Sequence, residues 1–443
     1  MWQQRGRILG GAGIVFCFLA ALWSGTTYAG PLATPPVQPH ARAFVVVDSI
    51  TGQVIAASNA DRSVPMASTT KIMTTWLLLE HMELDDVIWV PFEARGIAGS
   101  KLYLEPGERY TVAEMAYALM ISSANDAATT VAVNVGGTVE GFVDLMNRRA
   151  AELGMTNTRF ANPHGLHHSD HFASARDLAV LAREAMADPV FRGFAGVLQA
   201  EISHPIRDTT RVLSSHNTFL ARTPRATGIK TGFTNAARFS LVGSARQGER
   251  EVIGVILGGD SAAQVAGEME ALLDWALDAF ELVELVGDAD RWALGPEIDG
   301  IQRWALPAAA VSMVRQRSDD TALPLVEIDV DIPGGSAADM AGAHAGGGDP
   351  LEVLPGEEVG TLAVRVEGRH YASVPLVLAE EVLEGPDSTI SEGAHDPLVE
   401  GWPVPVPAAA TGLAVTLVTG LYVIRRRSSV QRRRYRFRGV HRL

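Results

Sequence analysis

The 443-residue sequence contains a single cysteine, Cys17, and this scarcity limits both its folding chemistry and its catalytic chemistry. Cys17 lies inside an N-terminal apolar run that we expect to be removed on export. The mature protein would then contain no thiol, which excludes disulfide bonds and cysteine nucleophiles.

Lysine is also scarce, because Lys71, Lys101 and Lys230 are the only lysines among 37 basic residues. The chain carries the rest of its positive charge as arginine, whose guanidinium does not deprotonate in proteins. A lysine amine can lose its proton and act as a base. The positions where this chain keeps lysine are therefore candidates for chemistry.

The long uncharged runs lie at the two ends of the chain. The run Ile8–Trp23 follows two arginines and precedes Thr27-Tyr-Ala29, so we predict a signal peptide at residues 1–29. Residues 407–424 are uncharged and just long enough to span a bilayer, which predicts a transmembrane helix. An interfacial helix is the alternative, but such helices carry a charged face. The nine arginines of residues 425–443 then indicate a cytoplasmic tail.

Charge is unevenly distributed along the chain. Acidic residues outnumber basic ones by 51 to 37, and the C-terminal tail holds nine of the basic ones. The part predicted to be exported is therefore strongly acidic, which argues against nucleic acid as a partner.

A chain of this length is expected to form two or more domains. Residues 30–40 and 384–406 are proline-rich and read as linkers. Residues 41–288 show strand patterns at both ends and helical patterns between them, which predicts an α/β domain with one sheet and a helical lobe. Residues 289–383 alternate apolar and charged positions and predict a small β-rich domain. In the first domain we predict strands at 43–48, 53–58, 226–230, 239–245 and 251–257, a helix beginning at Ser68, and helices at 111–121, 125–135, 139–153, 175–187 and 263–285.

The stretch Ser68-Thr-Thr-Lys71 combines a nucleophile with a base at helical spacing. Residues three apart on a helix leave the same face one turn apart. A hydroxyl needs a base before it attacks a carbonyl, and an amine within hydrogen-bond reach can be that base. The spacing alone is common, and a surface lysine beside a capping serine is the alternative interpretation.

Two further motifs could complete such a site. Ser123-Ala-Asn125 lies between two predicted helices and offers a hydroxyl and an amide at a turn. Lys230-Thr231-Gly232 ends a predicted strand with a cation, a hydroxyl and a glycine. In the order Ser-x-x-Lys, Ser-x-Asn and Lys-Thr-Gly, the three motifs form the signature of penicillin-binding proteins and β-lactamases.

Residues from about 41 to 285 resemble the serine D-alanyl-D-alanine carboxypeptidases among the low-molecular-weight penicillin-binding proteins. The resemblance is carried by phrases such as Ala67-Ser-Thr-Thr-Lys-Ile-Met-Thr74, Asn162-Pro-His-Gly-Leu166 and Gly228-Ile-Lys-Thr-Gly232. It implies a serine β-lactamase/transpeptidase-like domain, with an antiparallel sheet flanked by helices, followed by a β-rich domain. It also implies removal of the terminal D-alanine from peptidoglycan stem pentapeptides, with β-lactams as inhibitors.

The resemblance further implies which residues carry the reaction. Ser68 would be the nucleophile, Lys71 the base that takes its proton, and Ser123 the relay that protonates the leaving amine. The backbone N–H groups of Ser68 and Phe233 would form the oxyanion hole.

Substrate binding is assigned in the same way. Asn125 would hold the peptide backbone of the substrate, and Lys230 and Thr231 would bind its terminal carboxylate. Gly232 and Phe233 belong to the same strand segment. Many relatives have histidine in place of Phe233, a change that keeps the backbone donor but can alter substrate preference.

A histidine-rich loop contains further potential ligands: His164, His167, His168, Asp170 and His171. They do not lie on two turns of one helix, and serine acyl transfer needs no metal. We favour a plain polar loop and predict neither a metal nor a cofactor.

Two alternatives to the carboxypeptidase interpretation remain open at this stage. The first is a β-lactamase on the same fold, which the extra β-rich domain and the membrane anchor disfavour. The second is a catalytically inactive protein that binds the cell wall, which is disfavoured because every motif side chain is present.

Overall fold

A computed structural model describes residues 34–204, 209–287, 290, 292–293, 304–317, 326–331, 356 and 358–379. The chain divides into two units, Met1–Glu381 and Val382–Leu443, and every described residue belongs to the first. The predicted signal peptide, transmembrane helix, second linker and tail lie outside the described residues. Over the described ranges, no helix combines the length and the apolar character needed to cross a membrane.

Helices and strands account for most of the described residues. The helices are α1 Lys71–His81, α2 Val112–Met120, α3 Asn125–Gly136, α4 Val139–Glu152, α5 Ala175–Ala187, α6 Pro189–Ala195 and α7 Ala262–Ala279. The strands are β1 Ala43–Asp48, β2 Val54–Ser58, β3 Val87–Trp89, β4 Arg109–Thr111, β5 Gln199–Ser203, β6 Thr210–Ser214, β7 Ala226–Thr234, β8 Arg238–Gln247, β9 Arg250–Gly259, β10 Phe280–Val286, β11 Trp292–Ala293, β12 Trp304–Pro307, β13 Val311–Gln316, β14 Val326–Asp331, β15 Glu358–Val366 and β16 Arg369–Leu378.

The central sheet joins distant parts of the chain, as the strand pattern predicts. Its five strands run in the order β2-β1-β9-β8-β7, and every neighbouring pair is antiparallel. Strand β1 pairs with β9, which follows it by about 200 residues, so the helical lobe is inserted between them. Strand β7 lies at one edge of this sheet.

Strand β1 shows why the sheet is buried on both faces. Val45 and Val47 pack into a core shared with the helical lobe, whereas Phe44 and Val46 pack into a second core with helix α7. Side chains alternate between the faces of a strand, so a continuous apolar run is the pattern of a strand covered on both sides. The three layers are therefore lobe, sheet and α7.

The region around Ser68 differs from the predicted α-helix in one respect. Residues Ala67–Thr70 form a short 3-10 turn, and helix α1 begins only at Lys71. In a 3-10 turn, side chains three residues apart lie almost directly above one another. The turn therefore brings Ser68 and Lys71 together, although Ser68 is not on the α-helix itself.

The prediction of a helix through Leu285 is wrong at its C-terminal end. Helix α7 ends at Ala279, and Phe280–Val286 forms β10, which pairs with β13. The guanidinium of Arg250 on β9 caps this end of the helix, because Nη1 donates to the carbonyl oxygens of Ala276 and Phe280 at 2.9 and 2.6 Å. This contact joins distant residues, so local sequence pattern does not reveal it.

The β-rich region follows directly. Strands β11, β12, β16, β15 and β14 form a second five-stranded sheet in that order, and β10 pairs with β13. Gln53, in the turn before β2, binds β13 through two hydrogen bonds. Its Nε2 donates to the Val314 carbonyl at 2.8 Å, and the Val314 N–H donates to its Oε1 at 2.9 Å.

Candidate active site

The 3-10 turn that carries Ser68 is held in an unusual backbone conformation. Ala67 has a φ of 51°, in the left-handed region, although it is not glycine. Strained backbone of this kind costs about 1–3 kcal/mol and persists only where the surroundings enforce it. Two hydroxyls help to do so, since Thr69 donates to the Met66 carbonyl at 2.8 Å and Thr70 to the Ala67 carbonyl at 2.7 Å. The turn thereby presents Ser68, which is half-buried, to the cleft.

Lys71 is completely buried and contacts three oxygen atoms. Its Nζ lies 3.1 Å from Ser68 Oγ, 2.7 Å from Asn125 Oδ1 and 2.6 Å from the carbonyl oxygen of His164. The last two oxygens can only accept hydrogen bonds, whereas the Ser68 hydroxyl can also donate. A neutral amine has two N–H groups, which can bind the oxygens of Asn125 and His164, and one lone pair, which can accept the hydroxyl proton of Ser68.

The electrostatic environment favours this neutral form. Burial lowers the pKa of Lys71 well below its ordinary value, and the nearby positive charge of Lys230 lowers it further. The carboxylate of Asp126 acts in the opposite direction, but its effect is smaller. Lys71 therefore has both the position and the protonation tendency of a general base toward Ser68.

Asn125 is oriented by hydrogen bonds from the preceding loop. Its Nδ2 donates to the Ala98 carbonyl at 2.7 Å, and this bond directs Oδ1 toward Lys71. The resemblance implies that Asn125 binds the substrate. In the structure, the side-chain oxygen of Asn125 binds the amine of Lys71, the proposed base. Ser123, two residues earlier, has a φ of 55° and is 6% exposed, and it lines the same cleft as Ser68.

The Lys-Thr-Gly segment lies on edge strand β7, beside the nucleophile. A Cβ atom added to Gly232 would stand 2.9 Å from the Ser68 backbone nitrogen, so only glycine allows this approach. Lys230 is 2% exposed, its Nζ donates to the Thr231 carbonyl at 3.1 Å, and burial lowers its pKa to about 7. A bound carboxylate would favour the charged form of this amine.

A cleft of about 250 Å³ brings most of the predicted residues together. Ser68, Ser123, Thr231, Gly232 and Phe233 line it, whereas Lys71, Asn125 and Lys230 lie buried. One wall is apolar, because the Phe233 ring stacks on Phe239 with 4.5 Å between ring centroids, and Leu241 and Val265 also line the cleft.

The histidine-rich loop packs against the site through hydrogen bonds within the protein. The N–H of Leu166 donates to His164 Nδ1, and His171 contacts Thr70 and Ala161. In the part of the chain that the structure describes, no group of three or more histidine, cysteine, aspartate or glutamate residues is arranged to hold a metal ion.

Sequence reasoning missed two contributors to the site. The carbonyl of His164 binds Lys71, and the Asp126 carboxylate accepts from the N–H groups of Leu102 and Leu104 and so holds the loop that orients Asn125. The family-like phrase Asn162-Pro-His-Gly-Leu166 contains His164 and so indicated that this loop matters. Residue type alone, however, does not reveal the role of a backbone carbonyl.

Comparison with known proteins agrees with this geometry. A family model described as D-alanyl-D-alanine carboxypeptidase matches residues 31–261. The D-alanyl-D-alanine carboxypeptidase DacC of Escherichia coli is 30% identical, over 84% of this chain and 91% of its own. The corresponding DacF of Bacillus subtilis is 28% identical, over 79% and 87%. The crystal structure of penicillin binding protein 6B from Escherichia coli superposes with a TM-score of 0.58 at 25% identity, over 78% of this chain and 98% of that one. The chain belongs to the D-alanyl-D-alanine carboxypeptidase family.

Proposed function

We propose that this protein is a serine D-alanyl-D-alanine carboxypeptidase that removes the terminal D-alanine from peptidoglycan stem pentapeptides. The observation that carries the proposal is the contact between Lys71 Nζ and Ser68 Oγ, with the other two partners of Nζ able only to accept. A hydroxyl paired with a buried, neutral amine is an activated nucleophile.

The first half of the reaction forms an acyl-enzyme. Ser68 Oγ attacks the carbonyl carbon of the penultimate D-alanine while its proton passes to Lys71 Nζ. The carbonyl oxygen becomes an oxyanion, which the backbone N–H groups of Ser68 and Phe233 stabilise. The C–N bond then breaks, Ser123 passes the proton from Lys71 to the leaving amine, and D-alanine departs.

The second half restores the enzyme. A water molecule attacks the ester carbonyl, and its proton passes to Lys71 Nζ. The Ser68 ester bond breaks, and the proton on Nζ returns to Ser68 Oγ. The shortened peptide leaves as a carboxylic acid, which releases its proton to the solvent, while the amine of the released D-alanine takes one proton up. No proton or electron pair is left over after one cycle.

Recognition of the substrate's end is assigned to strand β7. An edge strand offers backbone N–H and C=O groups to an extended peptide, which suits the linear stem peptide. Lys230 supplies a buried positive charge to the terminal carboxylate and Thr231 supplies a hydroxyl beside it. Charge-assisted contacts of this kind are the stronger hydrogen bonds of proteins.

The geometry also disfavours an inactive wall-binding protein. Such a protein would have no need to bury Lys71 against Ser68, Asn125 and the carbonyl of His164, since burial of an amine costs free energy.

Release of D-alanine from a peptide ending in D-Ala-D-Ala tests the proposal. The wild-type protein should release it, Ser68→Ala should be inactive, and Lys71→Arg should be nearly inactive because arginine cannot accept the proton. Lys101→Arg is the matched control and should keep full activity. Substantial activity in Lys71→Arg would contradict the role of Lys71 as base.

We also propose that the protein is membrane-anchored and acts on the outer side of the membrane. Two features of the sequence support this proposal. The apolar run at residues 8–23 is typical of an export signal, and the apolar run at residues 407–424, followed by nine arginines, is typical of a membrane span with a cytoplasmic tail. After cell fractionation, the full-length mature chain should remain with the membranes through an alkaline wash. Its recovery in the soluble fraction would contradict the anchor.

A further inference from the structure

A chain of three hydrogen bonds links the histidine-rich loop to the turn that carries Ser68. The N–H of Ala161 donates to His171 Nδ1 at 2.9 Å, and His171 Nε2 lies 2.7 Å from Thr70 Oγ1. The Thr70 hydroxyl in turn donates to the Ala67 carbonyl at 2.7 Å. The chain therefore ends on the residue that precedes the nucleophile.

The direction of each bond follows from the donors available. A backbone N–H can only donate, so His171 Nδ1 must accept and carries no proton. In the neutral ring the proton is then on Nε2, which donates to Thr70 Oγ1. Thr70 thus accepts from His171 and donates its own hydrogen to Ala67, so all three bonds are satisfied together.

The surroundings of His171 stabilise this neutral tautomer. The side chain is 2% exposed and packs edge-on against the ring of Phe160. Burial lowers the pKa of His171 to about 3, and any positive charge on His168, Lys71 or His167 acts in the same direction. His171 therefore stays neutral across the physiological range.

The end of this chain is a strained part of the site. Ala67 has a φ of 51°, which an alanine does not adopt without external constraint. On its other side, a Cβ atom added to Gly165 of the same loop would overlap the Ala67 carbonyl. The loop thus holds the Ala67 carbonyl by a hydrogen bond through Thr70 and by direct packing at Gly165.

We propose that His171 is a positioning residue for the nucleophile, acting through Thr70 on the turn at Ala67 and Ser68. The inference rests on the proposed function, because it assumes that Ser68 is the residue acylated. His171 does not touch substrate or the reacting atoms. Its role is to keep Ser68 Oγ at the distance from Lys71 that proton transfer requires, since a displacement of about 1 Å can cost about a hundredfold in rate.

The test measures the second-order rate of acylation by a fluorescent penicillin. Thr70→Val keeps the shape of the side chain but removes the hydroxyl, and it should slow acylation about ten- to a hundredfold. Thr70→Ser restores the hydroxyl and should return most of the rate. His171→Phe should resemble Thr70→Val, and His171→Gln, which can both accept and donate, should be less impaired.

Thr75→Val, in helix α1 directly after the turn, is the matched control. The Thr75 hydroxyl is fully buried and has no hydrogen-bond partner among the described residues, so its removal should leave acylation unchanged. Thermal unfolding of each variant separates the two possible roles. If the bond serves stability alone, Thr70→Val will melt at a lower temperature yet acylate at the wild-type rate while folded, which would overturn the proposal.

Nitrogen-15 NMR of the wild-type protein gives an answer that needs no variant to fold. The proton of His171 should be on Nε2 and should stay there between about pH 5 and 8. A proton on Nδ1, or titration near the ordinary pKa of about 6.5, would also overturn the proposal. Absence of any Ser68 adduct in the wild-type protein would instead count against the proposed function.

Discussion

Lys230 offers the most quantitative prediction, because its burial sets both its charge and the pH range over which that charge is lost. Its pKa is lowered to about 7, so the amine changes its charge within the working pH range of the assay. Only the charged form attracts the terminal carboxylate of a peptide. We therefore expect the kcat/KM for a D-Ala-D-Ala peptide to fall as pH rises through 7.

The size of the fall follows from the titration of one group. About half of the free enzyme is charged at Lys230 at pH 7 and about one part in a hundred at pH 9, so kcat/KM should drop about fiftyfold between them. The direction of this change follows from the lowered pKa of Lys230: its amine loses its proton, and therefore its charge, as pH rises through about 7. On the acidic side, kcat/KM should fall because Lys71 becomes protonated and no longer accepts the proton of Ser68.

Lys230→Arg tests the assignment directly. Arginine stays charged at every pH of the assay, so the alkaline fall should disappear even if the larger guanidinium lowers the rate overall. Lys101→Arg, a change in a half-buried lysine outside the cleft lining, should keep the wild-type profile. A wild-type profile that is flat to pH 9, or an alkaline fall that persists in Lys230→Arg, would refute the reasoning.

Two further substitutions test the packing and the capping that support the site. Gly232→Ala should slow acylation at least tenfold, because the new Cβ would lie only 2.9 Å from the backbone nitrogen of Ser68. Gly193→Ala is the control and should leave the acylation rate unchanged, because its new Cβ would meet no atom within 4 Å. Thr111→Ala should lower the free energy of unfolding by about 1 kcal/mol without changing the kinetics, because it removes the capping box that Thr111 forms with Glu114 at the start of α2. Acylation rates and chemical denaturation measure the two effects, and an unchanged rate in Gly232→Ala or an unchanged stability in Thr111→Ala would contradict them.

Much of the fold was predictable, because its strongest signals are local. The apolar run 43–48 predicted β1 at its observed bounds, and the pattern at 175–187 predicted α5 in the same way. The capping box at Thr111 predicted the start of α2. Each of these signals uses residues that are neighbours in the chain, so no knowledge of the tertiary structure was required.

The errors and omissions have a common physical cause. The end of α7 is capped by Arg250 from strand β9, and the short strand pairs β3–β4 and β5–β6 and helix α6 have weak local patterns. In the site, motif order predicted which side chains matter, but not that the His164 carbonyl binds Lys71 or that Asn125 orients it. Contacts to backbone carbonyls depend on tertiary packing, and every residue type has such a carbonyl.

Peptide mapping of the penicillin adduct tests the central claim most directly. Trypsin cleaves after lysine and arginine, so Ser68 falls in the fragment 63–71 and Ser123 in the fragment 110–148. If Ser68 is the nucleophile, the adduct mass should appear on fragment 63–71 alone, and Ser68→Ala should abolish it. An adduct on fragment 110–148, or an adduct that persists in Ser68→Ala, would contradict the account.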